Sequence, residues 1–261
     1  MSEILQYNNA AANKLLEMYR TPDVQSQRRE FLQFVRSAPG QKILDVGSGP
    51  GFLTSALGDA VGPSGSVIGI DISDQMLAFA EANCAEQPWV EFHKGDAAGI
   101  PFPDIHFDVV VSMQVLEYIS DVRKVLGEIQ RVLGPGGQAL LMDTDWDSLV
   151  WYSPDPDKAN QILAEWNTHV TNPYLPRTLS PLLHEAGFRV EKPQTLSIFN
   201  PSYTSNSFSN RLIDLIVPFV IQRGNIPADE VRSWARELRS SGKSGKYFFS
   251  LNRYIFSAIK L

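Results

Sequence analysis

A run of apolar residues closing on an acid and then three glycines, KILDVGSGPGFLT, is the segment of this chain best equipped for chemistry. Asp45 ends the apolar stretch, and Gly47, Gly49 and Gly51 follow before a helix is expected to open near Phe52. Glycines at a strand-to-helix turn let the backbone reverse sharply and approach a ligand, and the helix N-terminus beyond them favours a polar guest. A cofactor belongs there. The spacing is G-x-G-x-G, whereas a dinucleotide fingerprint counted from Gly47 needs its third glycine at position 52, which is Phe52. That count argues against a nicotinamide cofactor. A P-loop fails too, since Gly242-Lys243-Ser244 has Glu237 where the leading glycine belongs. Downstream, Asp71 closes VIGID and Gly95-Asp96-Ala97 follows VEFHK, so acids recur at successive strand ends.

These residues need a sheet to hold them. From Lys42 onward, short apolar runs (KILDV, VIGID, VEFHK, FDVVVS, QALLMDT) alternate with helix-length stretches, the pattern of βαβ units and right-handed crossovers. Asp121 to Leu133 carries apolar residues at helical spacing, and Gly134-Pro135-Gly136-Gly137 is expected to make a turn before the fifth strand. Before Lys42, one or two helices are expected, broken at Thr21-Pro22-Asp23 and ending near Pro39-Gly40. After Asp145 the reading gives helices near 157–170, 178–186, 208–222 and 228–239, with strands near 188–199 and 248–259. The chain is read as one domain over 1–261: N-terminal lid helices over 1–39, a cofactor-binding core over 40–145, and substrate-side helices with the last two strands over 146–261.

Composition narrows the function. A chain of 261 residues with 43% hydrophobic residues can bury a sizeable core without staples. Lys and Arg number 23 against 29 Asp and Glu, a net charge of −6, so no nucleic-acid partner is expected. The single cysteine, Cys84, cannot form an internal disulfide or a multi-cysteine zinc site, and no metal site is expected. The start MSEILQYNNAAANK has no secretory pattern, and the most apolar window, Leu212 to Ile221, contains Asp214 and Pro218 and is too short to span a bilayer. A cytoplasmic protein without a membrane span is expected.

Taken in order, the motifs over roughly Gln41 to Thr144 resemble those of the class I S-adenosylmethionine-dependent methyltransferases. The LEYISD segment, the LGPGG turn and PRTLSPLLHEAGF resemble the small-molecule branch that includes the ubiquinone and menaquinone C-methyltransferases. The resemblance implies a Rossmann-like α/β fold, with a seven-stranded, mostly parallel sheet, flanking helices and an α-helical lid. It implies S-adenosyl-L-methionine as cofactor and S-adenosyl-L-homocysteine as product. On this pattern Asp45 through Gly51 wraps the methionine and ribose portion. Asp71 accepts from the ribose hydroxyls, Ile72 and Met76 pack on the adenine, and Asp96 with Ala97 meets its amino group. Met113, in FDVVVSMQVLEYISD, borders the reacting methyl, while Tyr19 and Arg28 are candidates for the methionine carboxylate.

Methyl transfer from a sulfonium is an in-line displacement in which alignment can supply much of the acceleration. A general base helps only where the attacking atom carries a proton. Glu117 and His169 are the catalytic candidates, with Asp143 and Asp145 also in position after the fifth strand. The aromatic residues after Trp146 suit an apolar or ring-containing acceptor, although core packing accounts for most of them. The expected partner is therefore a small-molecule acceptor, methylated at O, N or C. The alternatives are a protein or tRNA methyltransferase and a non-enzymatic S-adenosylmethionine-binding protein. Oligomeric state does not follow from the sequence.

Overall fold

The computed structural model describes residues 9–261, which pack as two compact units. One comprises Glu30–Thr144, Leu175–Thr195 and Tyr254–Leu261; the other comprises the N-terminal residues to Arg29, Asp145–Tyr174 and Leu196–Arg253.

In the first of these, β1 (Lys42–Val46), β2 (Ser66–Asp71), β3 (Val90–Lys94), β4 (Phe107–Met113) and β5 (Leu133–Thr144) form a parallel sheet in the order β3-β2-β1-β4-β5. Ile43, Leu44, Val110, Val111, Leu140 and Leu141 are all 0% exposed, so the central strands are buried on both faces, which explains their unbroken apolar runs. Helices α3 (Phe52–Val61), α4 (Asp74–Asn83) and α5 (Val122–Val132) link the strands. Helix α5 shows how such a link is specified: the Asp121 side chain accepts from the Lys124 N–H at its start. Val122, Val125, Leu126, Ile129 and Val132 then form its buried stripe. Helix α7 (Pro176–Glu185) leads to β7 (Phe188–Val190), which pairs antiparallel with the C-terminal part of β9 (Phe249–Lys260).

The other unit holds α1 (Asn9–Tyr19), much of α2 (Pro22–Leu32), β6 (Val150–Trp151), α6 (Pro156–Trp166), most of β8 (Gln194–Asn200), α8 (Phe208–Arg223), α9 (Ala228–Lys243) and the start of β9. Helix α8 packs against α1, α6 and α9, and β6 pairs antiparallel with β9. No helix among the described residues is long and apolar enough to cross a membrane.

The α/β class and its mostly parallel sheet agree with the expectation, and three details differ. Nine strands are present among the described residues, not seven. One of the two added strands is the short β6; the other arises because the run expected over 188–199 divides into β7 and β8 around Pro193. Proline has no N–H to donate and holds the residue before it away from many conformations. Gly134-Pro135-Gly136-Gly137 does not precede the fifth strand but lies inside β5. There the register jumps from Phe107↔Leu133 to Val109↔Gln138, with Gly136 at φ +73°. The helix expected over 157–170 stops at Trp166, followed by a 3₁₀ turn over Asn167–His169.

Candidate cofactor site

Strand β1 lies between β2 and β4, and the chain winds outward first on one side of it and later on the other. Such a reversal opens a crevice at the carboxyl ends of the strands. The glycine loop is at that place. Gly47, Gly49 and Gly51 have φ of +71°, +52° and +78°, a region that side chains with a Cβ enter only under strain. The Gly47 and Ser48 N–H groups both donate to the Ile70 carbonyl, at 2.8 and 3.0 Å, tying the loop to β2. A Cβ on Gly47 would overlap the Val115 methyls, and one on Gly51 would lie 2.9 Å from Ala80 Cα in α4. At Gly49 a Cβ would meet nothing within 4 Å. The loop thus presses on protein at two glycines and opens on free space at the third.

Asp71 faces the same loop. Its Oδ2 accepts from the Gly49 N–H and its Oδ1 from the Ser73 N–H, both at 2.9 Å. Burial raises its pKa, and these backbone donors pull it back. A carboxylate offers about four acceptor positions, so the backbone donors of Gly49, Ser73 and Ile72 still leave capacity for a ligand's hydroxyl. Ile72, beside it, is 62% exposed, an apolar surface that a flat ring can cover, whereas Met76 is buried in α4. Asp96 is exposed and accepts from the Ala98 N–H at 2.8 Å, with Ala97 buried behind it. An open cradle, a carboxylate with spare acceptors and an exposed apolar side chain fit a nucleoside-bearing cofactor.

Asp45 lies beneath the loop, 1% exposed, accepting from Thr54 Oγ1 at 2.7 Å. Burial, partly opposed by that bond and reinforced by Asp71, pushes its pKa up to about 7. An acid with a raised folded pKa keeps its proton where the unfolded chain has lost it. Its favourable contribution is therefore full below about pH 4 and lost as pH rises through about 7. Asp45→Asn should remove at most about 4 kcal/mol of pH-dependent stability across that window. Urea denaturation of both proteins between pH 4 and 8 reads this directly, and identical pH slopes would refute it.

The segment after β4 closes the crevice. Met113 is half-buried at the strand end, in register with Met142. Gln114 then takes φ +57°, unusual outside glycine, with its N–H donating to the Met142 carbonyl at 2.6 Å and its side chain to Thr144 Oγ1 at 3.1 Å. Glu117 and Asp143 are both 0% exposed. The Glu117 N–H donates to Asp143 Oδ1 at 3.1 Å, and the Thr144 N–H to Glu117 Oε2 at 3.0 Å. Burial and the neighbouring Glu117 hold the Asp143 carboxyl well above its ordinary pKa. Glu117 is legible in the sequence as a residue of this segment, whereas the cover of Gly47 by Val115 and the left-handed Gln114 are not. No glycine marks either position.

The structure brings together Asp45, Gly47, Gly49, Gly51, Asp71, Ile72, Met76, Asp96, Ala97, Met113 and Glu117 in one unit, and places Tyr19, Arg28 and His169 in the other. Arg28 Nη2 donates to the Tyr19 carbonyl at 2.9 Å, and burial lowers the pKa of its half-buried guanidinium. His169 is 6% exposed; its Nδ1 lies 2.6 Å from the Trp166 carbonyl, which fits the tautomer donating from Nδ1. Its ring stacks on Trp166 at 3.8 Å and meets Trp146 edge-on at 4.5 Å. Burial drops its pKa to about 3, so the imidazole is neutral.

Comparison with known proteins adds to this geometry. Residues 44–141 match the family described as "Methyltransferase domain". A demethylmenaquinone methyltransferase of Lactobacillus johnsonii is 32% identical over 179 residues, 62% of this chain and 73% of that one. An uncharacterized 37.1 kDa protein in a transposon of Streptomyces fradiae is 29% identical over 93% of this chain and 69% of its own. For several other demethylmenaquinone methyltransferases, the matching part of the chain spans only about half of their length. Among solved structures, the YcgJ protein of Bacillus subtilis superposes with a TM-score of 0.61 at 23% identity, covering 90% of this chain and 98% of that one, a likeness of fold.

Proposed function

Because this chain belongs to the class I S-adenosylmethionine-dependent methyltransferases, we propose that it methylates an O, N or C atom of a small, apolar or ring-containing molecule. The observation that carries the cofactor half of this reading is the pairing of Asp71 with the open side of Gly49. Bound there, the cofactor supplies a methyl group already activated by its sulfonium; the chain supplies position. Asp71 accepts from the ribose hydroxyls, and Ile72 and Met76 flank the adenine. Asp96, beside Ala97, accepts from the adenine amino group. Gly47, Gly49, Gly51 and Asp45 shape the loop, and Met113 borders the methyl.

An acceptor that carries a proton at working pH needs a base, and Glu117 takes that part in the proposal. A histidine with a pKa of about 3 is a weak base, so His169 is assigned to the aromatic wall with Trp146 and Trp166. The small-molecule assignment is supported by the aromatic residues of that unit and by the Lactobacillus johnsonii relative, whose name specifies a quinone-type acceptor. The single cysteine and the lack, among the described residues, of a helix able to cross a membrane support a cytoplasmic setting.

The test is calorimetric titration with S-adenosylmethionine, S-adenosylhomocysteine and NADH, followed by transfer of labelled methyl to quinone-like and phenolic acceptors. Binding of the first two alone, with label appearing on a small acceptor, is the expected result. Binding of NADH alone overturns the cofactor assignment. Label on a protein or RNA pool, with none on metabolites, overturns the acceptor class. Binding without any transfer supports a non-enzymatic protein.

A further inference from the structure

Asp143 belongs to none of the cofactor's proposed contacts, yet it is buried where β5 meets the segment after β4. Four hydrogen bonds cross at that point: Gln114 N–H to the Met142 carbonyl, Gln114 Nε2 to Thr144 Oγ1, Glu117 N–H to Asp143 Oδ1, and Thr144 N–H to Glu117 Oε2. Asp143 accepts from the Glu117 N–H inside the 3₁₀ turn Leu116–Tyr118, while the Tyr118 N–H donates to the Val115 carbonyl at 3.0 Å. The turn begins one residue after Val115, and the Val115 methyls occupy the position that a Gly47 side chain would take. Gln114, held left-handed, is the bend that delivers Val115 there.

We propose that Asp143 is a positioning residue for the cofactor loop: by fixing the 3₁₀ turn after β4 it holds Val115 against Gly47 and so keeps the loop in its binding shape. The inference rests on the cofactor reading above. A fully buried side chain with a fixed acceptor ties the turn to β5 more rigidly than an exposed one could. Asp143→Ala removes the acceptor and leaves the Glu117 N–H buried without it. Asp143→Asn keeps an oxygen for that N–H and replaces the other carboxyl oxygen with an amide nitrogen. Val115→Ala trims the contact at the far end of the same chain of causes.

The experiment is titration of S-adenosylhomocysteine into wild type, Asp143→Ala, Asp143→Asn, Val115→Ala and the Asp143→Ala/Val115→Ala double variant, with melting temperatures alongside. Asp143→Ala should bind at least tenfold more weakly, Asp143→Asn should recover most of that loss, and Asp143→Ala should cost far less once Val115 is already Ala, because coupled residues are not additive. Equal losses in the Ala and Asn variants, or a full additive penalty in the double variant, overturn the inference. Should Asp143→Ala fail to fold, Val115→Ala alone decides. Several-fold weaker binding at an unchanged melting temperature supports the coupling, and unchanged binding overturns it. Wild type that does not bind S-adenosylhomocysteine overturns the cofactor reading itself and this inference with it; binding that is unchanged in Asp143→Ala overturns only the inference.

Discussion

Gly51→Ala is expected to lower the melting temperature by roughly 5–15 °C and to abolish measurable cofactor binding. The residue sits at φ +78°, where an L side chain costs about 1–2 kcal/mol. Its Cβ would lie 2.9 Å from both Cα and Cβ of Ala80 and 3.1 Å from Phe92 Cζ. Ala80 is helix backbone in α4 and cannot swing aside as a long side chain can, so overpacking adds about 1–3 kcal/mol. Gly49→Ala is the control. It carries the conformational penalty alone, since nothing lies within 4 Å of its Cβ, so the fold should melt only a few degrees lower. The added methyl then occupies the space assigned to the ligand, and S-adenosylhomocysteine affinity should fall at least tenfold. Wild-type affinity in Gly49→Ala would remove the ligand from that space.

Asp71→Ala should weaken S-adenosylhomocysteine binding by about 1.5–3 kcal/mol, tenfold to more than a hundredfold, the range for hydrogen bonds to a charged group. Asn is not a gentle replacement. Both Asp71 oxygens accept from backbone N–H groups, Gly49 on one and Ser73 on the other, so an amide NH₂ must confront one of those donors. We expect Asp71→Asn to lose nearly as much as Asp71→Ala. A 2′,3′-dideoxy analogue of S-adenosylhomocysteine separates the ribose contact from the loop contact. If ribose hydroxyls bond to Asp71, wild type and Asp71→Ala should differ less for the analogue than for the parent compound. An equal loss for both compounds would assign Asp71 to holding Gly49 alone.

The parallel core was legible because its signals are local. Short β-branched runs ending in Asp45 and Asp71, helix-length gaps between them, and glycines where the chain must be left-handed each follow from neighbouring residues. The rest depended on contacts distant in sequence. Nothing within LGPGG distinguishes a turn before a strand from an irregularity inside one; Phe107 and Val109 on the neighbouring strand set the register. The 3₁₀ turn bearing His169 and the two-residue β6 are too short to impose a period. In the site, Gly47 was visible as a glycine while its reason, Val115, was not, because 68 residues separate them. Tyr19 and Arg28 are separate candidates for the carboxylate in the sequence, and the bond between them, from the Arg28 side chain to the Tyr19 backbone, is a contact that sequence spacing cannot reveal.

The unit that carries the glycine loop is discontinuous: it is left at Thr144 and completed only by Leu175–Thr195 and then Tyr254–Leu261. Strand β5, with Ala139 to Met142 all 0% exposed in the finished protein, borders β9 in the sheet order. About 110 residues separate the end of β5 from the part of β9 that belongs to this unit. At roughly 5–20 residues per second, a ribosome takes about 5–20 s to make them. For that interval the nascent chain carries an apolar strand with an unsatisfied edge, the kind of surface that recruits other strands. Slow codons or limiting chaperones between residues 144 and 254 therefore bear on the yield of this protein more than the same delays placed before β1.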